Sequence, residues 1–269
     1  MSTRFPTQVA APAGQQAIPV HILLEATHQF AEWVKQKAQG AEVILCGGLA
    51  LCQYGSARMT QDADVCMDLS RTRRNGTQMP FDTNALKDLA RQDPRLVVGP
   101  KIYWIHKPTG TLVQVDFVDA QLFWHPFDVR QMVDPSNIVP SLNLPTLLAG
   151  KLKSALERND PNPQKMWEKK SNDVSDFDFA MGLCLHRRLA LTQHHLAHLG
   201  PDMQTVTFVV QEFAKLRLTL MQSYMDKNGH AGVSWWEQLI RASNLPQSLV
   251  DAARVTIATQ PQASTSARK

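Results

Sequence analysis

A chain of 269 residues can bury one large core or two modest ones, and 43% hydrophobic against 19% charged residues is an ordinary globular balance. No stretch approaches the roughly 18 uninterrupted apolar residues of a spanning helix, and MSTRFPTQVAAPAGQQ lacks a signal-peptide core, so neither membrane nor export is expected. The net charge of +4 suits polyphosphate or nucleic-acid partners without requiring them. Four cysteines (Cys46, Cys52, Cys66, Cys184) with no CxxC pair exclude a zinc ribbon and point to a reducing cytoplasm.

Residues 1–17, rich in Pro, Ala, Gly and Gln, and residues 259–269 read as flexible arms. From 20 to 38 the apolar residues Leu23, Leu24, Ala31, Val34 and Ala38 recur at helical spacing, and Gly40 ends the segment. EVILCGG is a short apolar run stopped by two glycines, a buried strand and a turn, and LALCQYG is a short helix. DADVCMDL (62–69) alternates strictly, with Asp62, Asp64, Cys66 and Asp68 on one face and Ala63, Val65 and Met67 on the other. NALKDLARQ (84–92) has a helical pattern. RLVVGPKIYWIHKPTGTLVQVDFVDA reads as two strands joined by a turn at 108–110, with Val113, Val115 and Phe117 opposite Gln114, Asp116 and Val118.

Beyond about residue 140 the periodicity is helical: LPTLLAGKLKSALER, the stretch around DVSDFDFAMGLCLHRR, 204–225 and 235–257. The expected class is α+β. A small mixed β-sheet with flanking helices occupies 18–140, and a helical half occupies 141–258.

The chemistry concentrates in LCGGLALCQYGSARMTQDADVCMD. Glycines at a strand-to-helix turn let backbone amides approach a triphosphate with no Cβ in the way. Asp62 and Asp64, one residue apart on a strand, project from one face and can share divalent cations. A third carboxylate on a neighbouring strand would complete a two-metal site, and Asp116, polar on an apolar-backed strand, is the natural candidate. A Gly-Gly turn or an Asp-x-Asp pair alone is usually structural; their order here, with Arg58-Met59-Thr60 between, favours chemistry.

This segment resembles the signature of the DNA polymerase beta-like nucleotidyltransferases: a hydrophobic strand, Gly-Gly, a spacer and Asp-x-Asp. GGLAL followed by Gly55, Arg58, Thr60, Asp62 and Asp64 looks like the branch containing the AbiEii-type abortive-infection toxins. That branch also has a helical lysine with an arginine seven residues on, the spacing of Lys151 and Arg158, and a basic-acidic cluster similar to KKSNDVSDF. Between the lysine helix and that cluster stands an insert, NDPNPQKMWEKK, that departs from the pattern and reads as a mobile segment, and the cluster reads Ser-Asn-Asp-Val. Seven residues turn about 700°, so Lys151 and Arg158 lie nearly in register beside the stripe of Leu148, Leu152 and Leu156, aimed at a cleft.

The resemblance implies that Gly47 and Gly48 hold phosphates, that Asp62 and Asp64 bind Mg²⁺ or Mn²⁺, that Lys151 contacts nucleotide phosphate, and that Asp173 supports the site. Thr60 and Arg158 join the nucleotide-binding set. Arg58 stays open between a substrate contact and an ion-pair partner for an aspartate. The implied activity moves a nucleoside monophosphate from an NTP to an acceptor hydroxyl, with tRNA, other RNA or protein preferred. It could belong to a toxin held down by a neutralising antitoxin. The alternatives are a small-molecule (aminoglycoside-type) nucleotidyltransferase and an inactive binding module of the same fold.

Other features favour bland readings. His194, His195 and His198 lack a third and fourth metal partner and are expected at the surface. Arg71, Arg73 and Arg74 read as a solvated loop, Asp68 as beyond reach of the metals, and Trp235-Trp236 with the Met-bearing helix at 219–225 as C-terminal packing.

Overall fold

The computed structural model describes residues 17–72, 81–120, 129–228 and 231–254. The arms expected at 1–17 and 259–269 lie, apart from Ala17, outside the described residues, as do Arg73, Arg74 and the side chains of 221–228 and 231–235.

The chain runs α1 (Val20–Lys37), β1 (Glu42–Cys46), α2 (Gly47–Gln53), β2 (Asp62–Asp68), α3 (Thr83–Arg91), β3 (Leu96–Val98), β4 (Ile102–His106) and β5 (Thr111–Asp119). A 3₁₀ turn (Val129–Met132) leads into β6 (Val133–Asp134) and β7 (Ser141–Leu142). Among the described residues six helices follow: α4 (Leu144–Glu157), α5 (Pro163–His186), α6 (Gln193–Leu196), α7 (Met203–Asn228), α8 (Ala231–Ala242) and α9 (Gln247–Ala253). The mixed class expected from the sequence is the one observed.

Among the described residues seven strands form one mixed sheet in the order β3-β4-β5-β2-β1-β7-β6. β2 lies at its centre, antiparallel to β1 and parallel to β5. On the side facing α1, Trp104 packs against Phe30 edge-on and against Trp33 at a tilt, with ring centroids 5.7–6.5 Å apart across the three rings. The two indole N–H groups are not wasted: Trp33 donates to Asp93 at 2.8 Å and Trp104 to Gln29 at 3.0 Å. The other side carries the alternate residues of β2 and β5, among them the aspartates.

Four expectations are corrected. The first strand of the expected hairpin divides into β3 and β4, because Pro100 has no N–H for the ladder and Gly99 N–H closes a turn onto the Lys101 carbonyl at 2.9 Å. The segment at 235–257 is two helices rather than one. Asn244 takes a left-handed backbone (φ 52°) and Pro246 follows, which a continuous helix does not tolerate. Most of the insert NDPNPQKMWEKK is the beginning of α5, capped by Asn162, whose side chain accepts from the Gln164 and Lys165 amides at 3.0 and 3.1 Å. Finally, two of the three histidines expected at the surface are buried. His195 completes a capping box with Thr192, and His198 is 2% exposed.

A continuous buried cluster links the sheet to the C-terminal helices. α4 packs along α5, while Phe177 meets Phe213 at 4.5 Å and Trp236 edge-on at 5.0 Å. β7, which follows the expected boundary at 140, is still part of the sheet, pairing Ser141 with Leu45 of β1. No helix among the described residues is long and apolar enough to cross a membrane.

Candidate metal and nucleotide site

The parallel pairing of β2 and β5 sets Asp64 directly opposite Asp116, and Asp62 opposite Gln114. Side chains two residues apart on a strand share a face, and adjacent strands lie about 4.8 Å apart, so three aspartates in this register must converge. They do: one carboxylate oxygen from each of Asp62, Asp64 and Asp116 lies within 4.8 Å of the others. Asp68, on the same face two pleats further, is outside the group and caps the Ser70 amide at 2.9 Å. The histidines at 194–198 form no such cluster among the described residues.

Three like charges this close cannot all be comfortable in water-poor surroundings. Burial, and then the neighbouring Asp62 carboxylate, pushes the Asp64 carboxyl up to about 6, although Lys151 pulls the other way. The donor set is all hard oxygen, the chemistry that suits Mg²⁺ or Mn²⁺ over softer metals. The residues present therefore fit a divalent cation.

Each aspartate is held differently. Thr60 donates its hydroxyl to Asp62 at 3.2 Å. Asp64 lies against the backbone of Gly47, where φ is +65° and an added Cβ would sit 2.0 Å from Asp64 Oδ2. This glycine is required twice over, by its backbone and by the carboxylate pressed upon it. Gly48 follows at the start of α2, over Thr60 and Arg58. Asp116 accepts from Gln114 Nε2 at 2.8 Å and from Lys101 Nζ at 3.2 and 2.9 Å.

Beside this triad lies a charge network from α4, α5 and the loop before β2. Lys151, 7% exposed, bridges Asp173 at 3.0 Å and Asp176 at 2.8 Å. Arg158 pairs with Asp173 at 2.6 Å, and Arg58 with Asp176. Burial works against the charge on Lys151, but the two carboxylates outweigh it and hold the ammonium; burial likewise opposes Asp173, whose carboxyl Lys151 and Arg158 still hold below its usual range. Three cations thus face two buried carboxylates, and the surplus positive charge reaches Asp64 through Lys151 and Arg158.

The candidate site residues read from the sequence fall into two groups here: the aspartates with Gly47, Gly48 and Thr60, and the network of Arg58, Lys151, Arg158 and Asp173. The arginine left open between two roles has an ion-pair partner, Asp176. Asp176, Lys101 and Gln114 were not foreseen. Asp176 follows Asp173 by three residues in a helix, so their shared face was readable from spacing. Lys101 carries no such signal, since only the β4–β5 register brings it to a residue fifteen positions away.

No family model matches the chain, and no curated protein sequence does. Among solved structures it is similar to an antigenic nucleotidyltransferase-like protein from Paracoccidioides brasiliensis, with 15% identity and a TM-score of 0.52 over 78% of this chain and 95% of that one. At that identity the likeness is one of fold. The chain therefore has a nucleotidyltransferase-type fold, with a carboxylate triad able to bind metal at the centre of its sheet.

Proposed function

We propose that the protein is a divalent-metal-dependent nucleotidyltransferase that moves a nucleoside monophosphate from an NTP to an acceptor hydroxyl. The observation that carries this reading is the convergence of Asp62, Asp64 and Asp116 under a glycine turn that leaves no room for a side chain. A bound ion would be held by these three aspartates and would supply positive charge to the phosphoryl oxygens.

The chain's own residues supply the rest. The Gly47–Gly48 turn offers a close approach for phosphate. Of the network cations, Arg158 is 41% exposed at its side chain and Arg58 32%, whereas Lys151 is sealed. The arginines are therefore the direct phosphate contacts, and Lys151 acts on them and on Asp64 through Asp173 and Asp176. In the reaction the acceptor oxygen bonds to the α-phosphorus, and the bond from the α-phosphorus to the α,β-bridging oxygen breaks. The acceptor's proton passes to the Asp116 carboxylate, and pyrophosphate leaves toward the arginines.

The acceptor favoured is tRNA, other RNA or protein, in keeping with the resemblance to AbiEii-type toxins. A neutralising antitoxin would be its partner, and a reducing cytoplasm its setting. The deciding experiment incubates the protein with each α-³²P-labelled NTP, Mg²⁺ or Mn²⁺, and separate pools of tRNA, cell protein and aminoglycosides. Label should enter one macromolecular pool and be lost in Asp62→Ala. Label on the aminoglycosides would make it a small-molecule enzyme, and no transfer with no metal-dependent NTP binding would make it an inactive binding module. Growth arrest on expression, relieved by Asp64→Ala, is the expected sign of a toxin.

A further inference from the structure

Asp116 keeps different company from the other two carboxylates. Asp62 is held by a neutral hydroxyl and Asp64 by a close backbone, but Asp116 carries an ammonium across both of its oxygens, Lys101 Nζ at 3.2 and 2.9 Å. Lys101 stands at the tight turn between β3 and β4, with its side chain 51% exposed. Gln114 holds Asp116 Oδ2 independently at 2.8 Å, so the carboxylate stays oriented when the ammonium moves away.

An ammonium across both oxygens takes lone pairs that a hard cation would need. Lysine is also a compact charge on a flexible stem, and a half-exposed ion pair of this kind is weak enough to exchange. We propose that Lys101 is a positioning residue that competes with the divalent ion for Asp116, a tethered cation that must swing off before the metal takes full hold. Its displacement would leave a free ammonium at the rim of the site. This rests on the metal-binding reading of the three aspartates.

The test is Mn²⁺ binding to the full-length protein, by electron paramagnetic resonance of the free ion, for the parent, Lys101→Met, Lys101→Gln, Lys101→Arg, Lys107→Met and Asp62→Asn. Lys107 is an exposed lysine on the next turn of the sheet and controls for net charge. Thermal unfolding in chelator confirms that each variant is folded. Asp62→Asn should lose binding, while Lys101→Met and Lys101→Gln should bind Mn²⁺ about fivefold more tightly than the parent, as loss of one half-exposed competing cation implies. Lys101→Arg should stay near the parent, and Lys107→Met should not change. Unchanged or weaker binding in both neutral Lys101 variants, or an equal gain in Lys107→Met, overturns the competition while leaving the aspartate site standing. Absence of any Mn²⁺ binding sensitive to Asp62→Asn overturns both.

Discussion

Gly47 and Gly55 share a left-handed backbone but not a neighbourhood. At Gly55 (φ +98°) an added Cβ meets nothing within 4 Å, while at Gly47 it would collide with the Asp64 carboxylate. Gly55→Ala should therefore cost only the conformational term, about 1–2 kcal/mol. Gly47→Ala should cost more, roughly 3 kcal/mol or above, and abolish metal binding, because Asp64 must move. Urea denaturation and Mn²⁺ titration of the pair check this, and equal losses would refute it. Asp64 makes a second prediction. Its carboxyl is raised to about 6, so the stability associated with its protonated form is complete below about pH 4 and is lost as pH rises through 6. In chelator, Asp64→Asn should be more stable than the parent above pH 6, by on the order of 2 kcal/mol after discounting for partial exposure. The gain should vanish toward pH 4, as thermal unfolding across pH 4–8 would reveal.

At the scale of elements, α4 and α5 are joined by the charge network rather than by apolar contact alone. Lys151→Met leaves each aspartate with an arginine, Asp173 with Arg158 and Asp176 with Arg58. Asp173→Asn instead leaves the sealed ammonium of Lys151 and the guanidinium of Arg158 with one carboxylate fewer. Removing one partner of a buried pair costs about 3–5 kcal/mol, so Asp173→Asn should be the more damaging change. Chemical denaturation midpoints decide the order, and the reverse order would mean that the network is not charge-matched in this way. The same logic separates what could be read locally. The β2 strand was legible from its alternation, whereas the break that makes β3 and β4 separate strands lies at Gly99-Pro100, a local turn signal that reading the stretch as one strand passed over.

Over the whole molecule, the sheet and the C-terminal helices share one core, with Trp236 among its largest sealed side chains. Trp236→Ala should cost roughly 3–5 kcal/mol. Trp236→Phe should cost much less, since the indole N–H is buried with no hydrogen-bond partner among the described residues and its removal relieves that debt. A continuous core also predicts one cooperative transition, with helical signal and tryptophan fluorescence lost together; separate transitions would show that the two halves fold independently.

The sequence by itself determined the mixed class and the strands β1, β2 and β5, and it pointed to the three aspartates that converge. Strand alternation and glycine turns are local effects, and they act within a few residues. Only the tertiary structure decided which charges answer one another. Arg58 meets Asp176 across 118 residues, and Lys101 meets Asp116 through the register of two strands. Charges interact through distance in space, and the fold sets that distance.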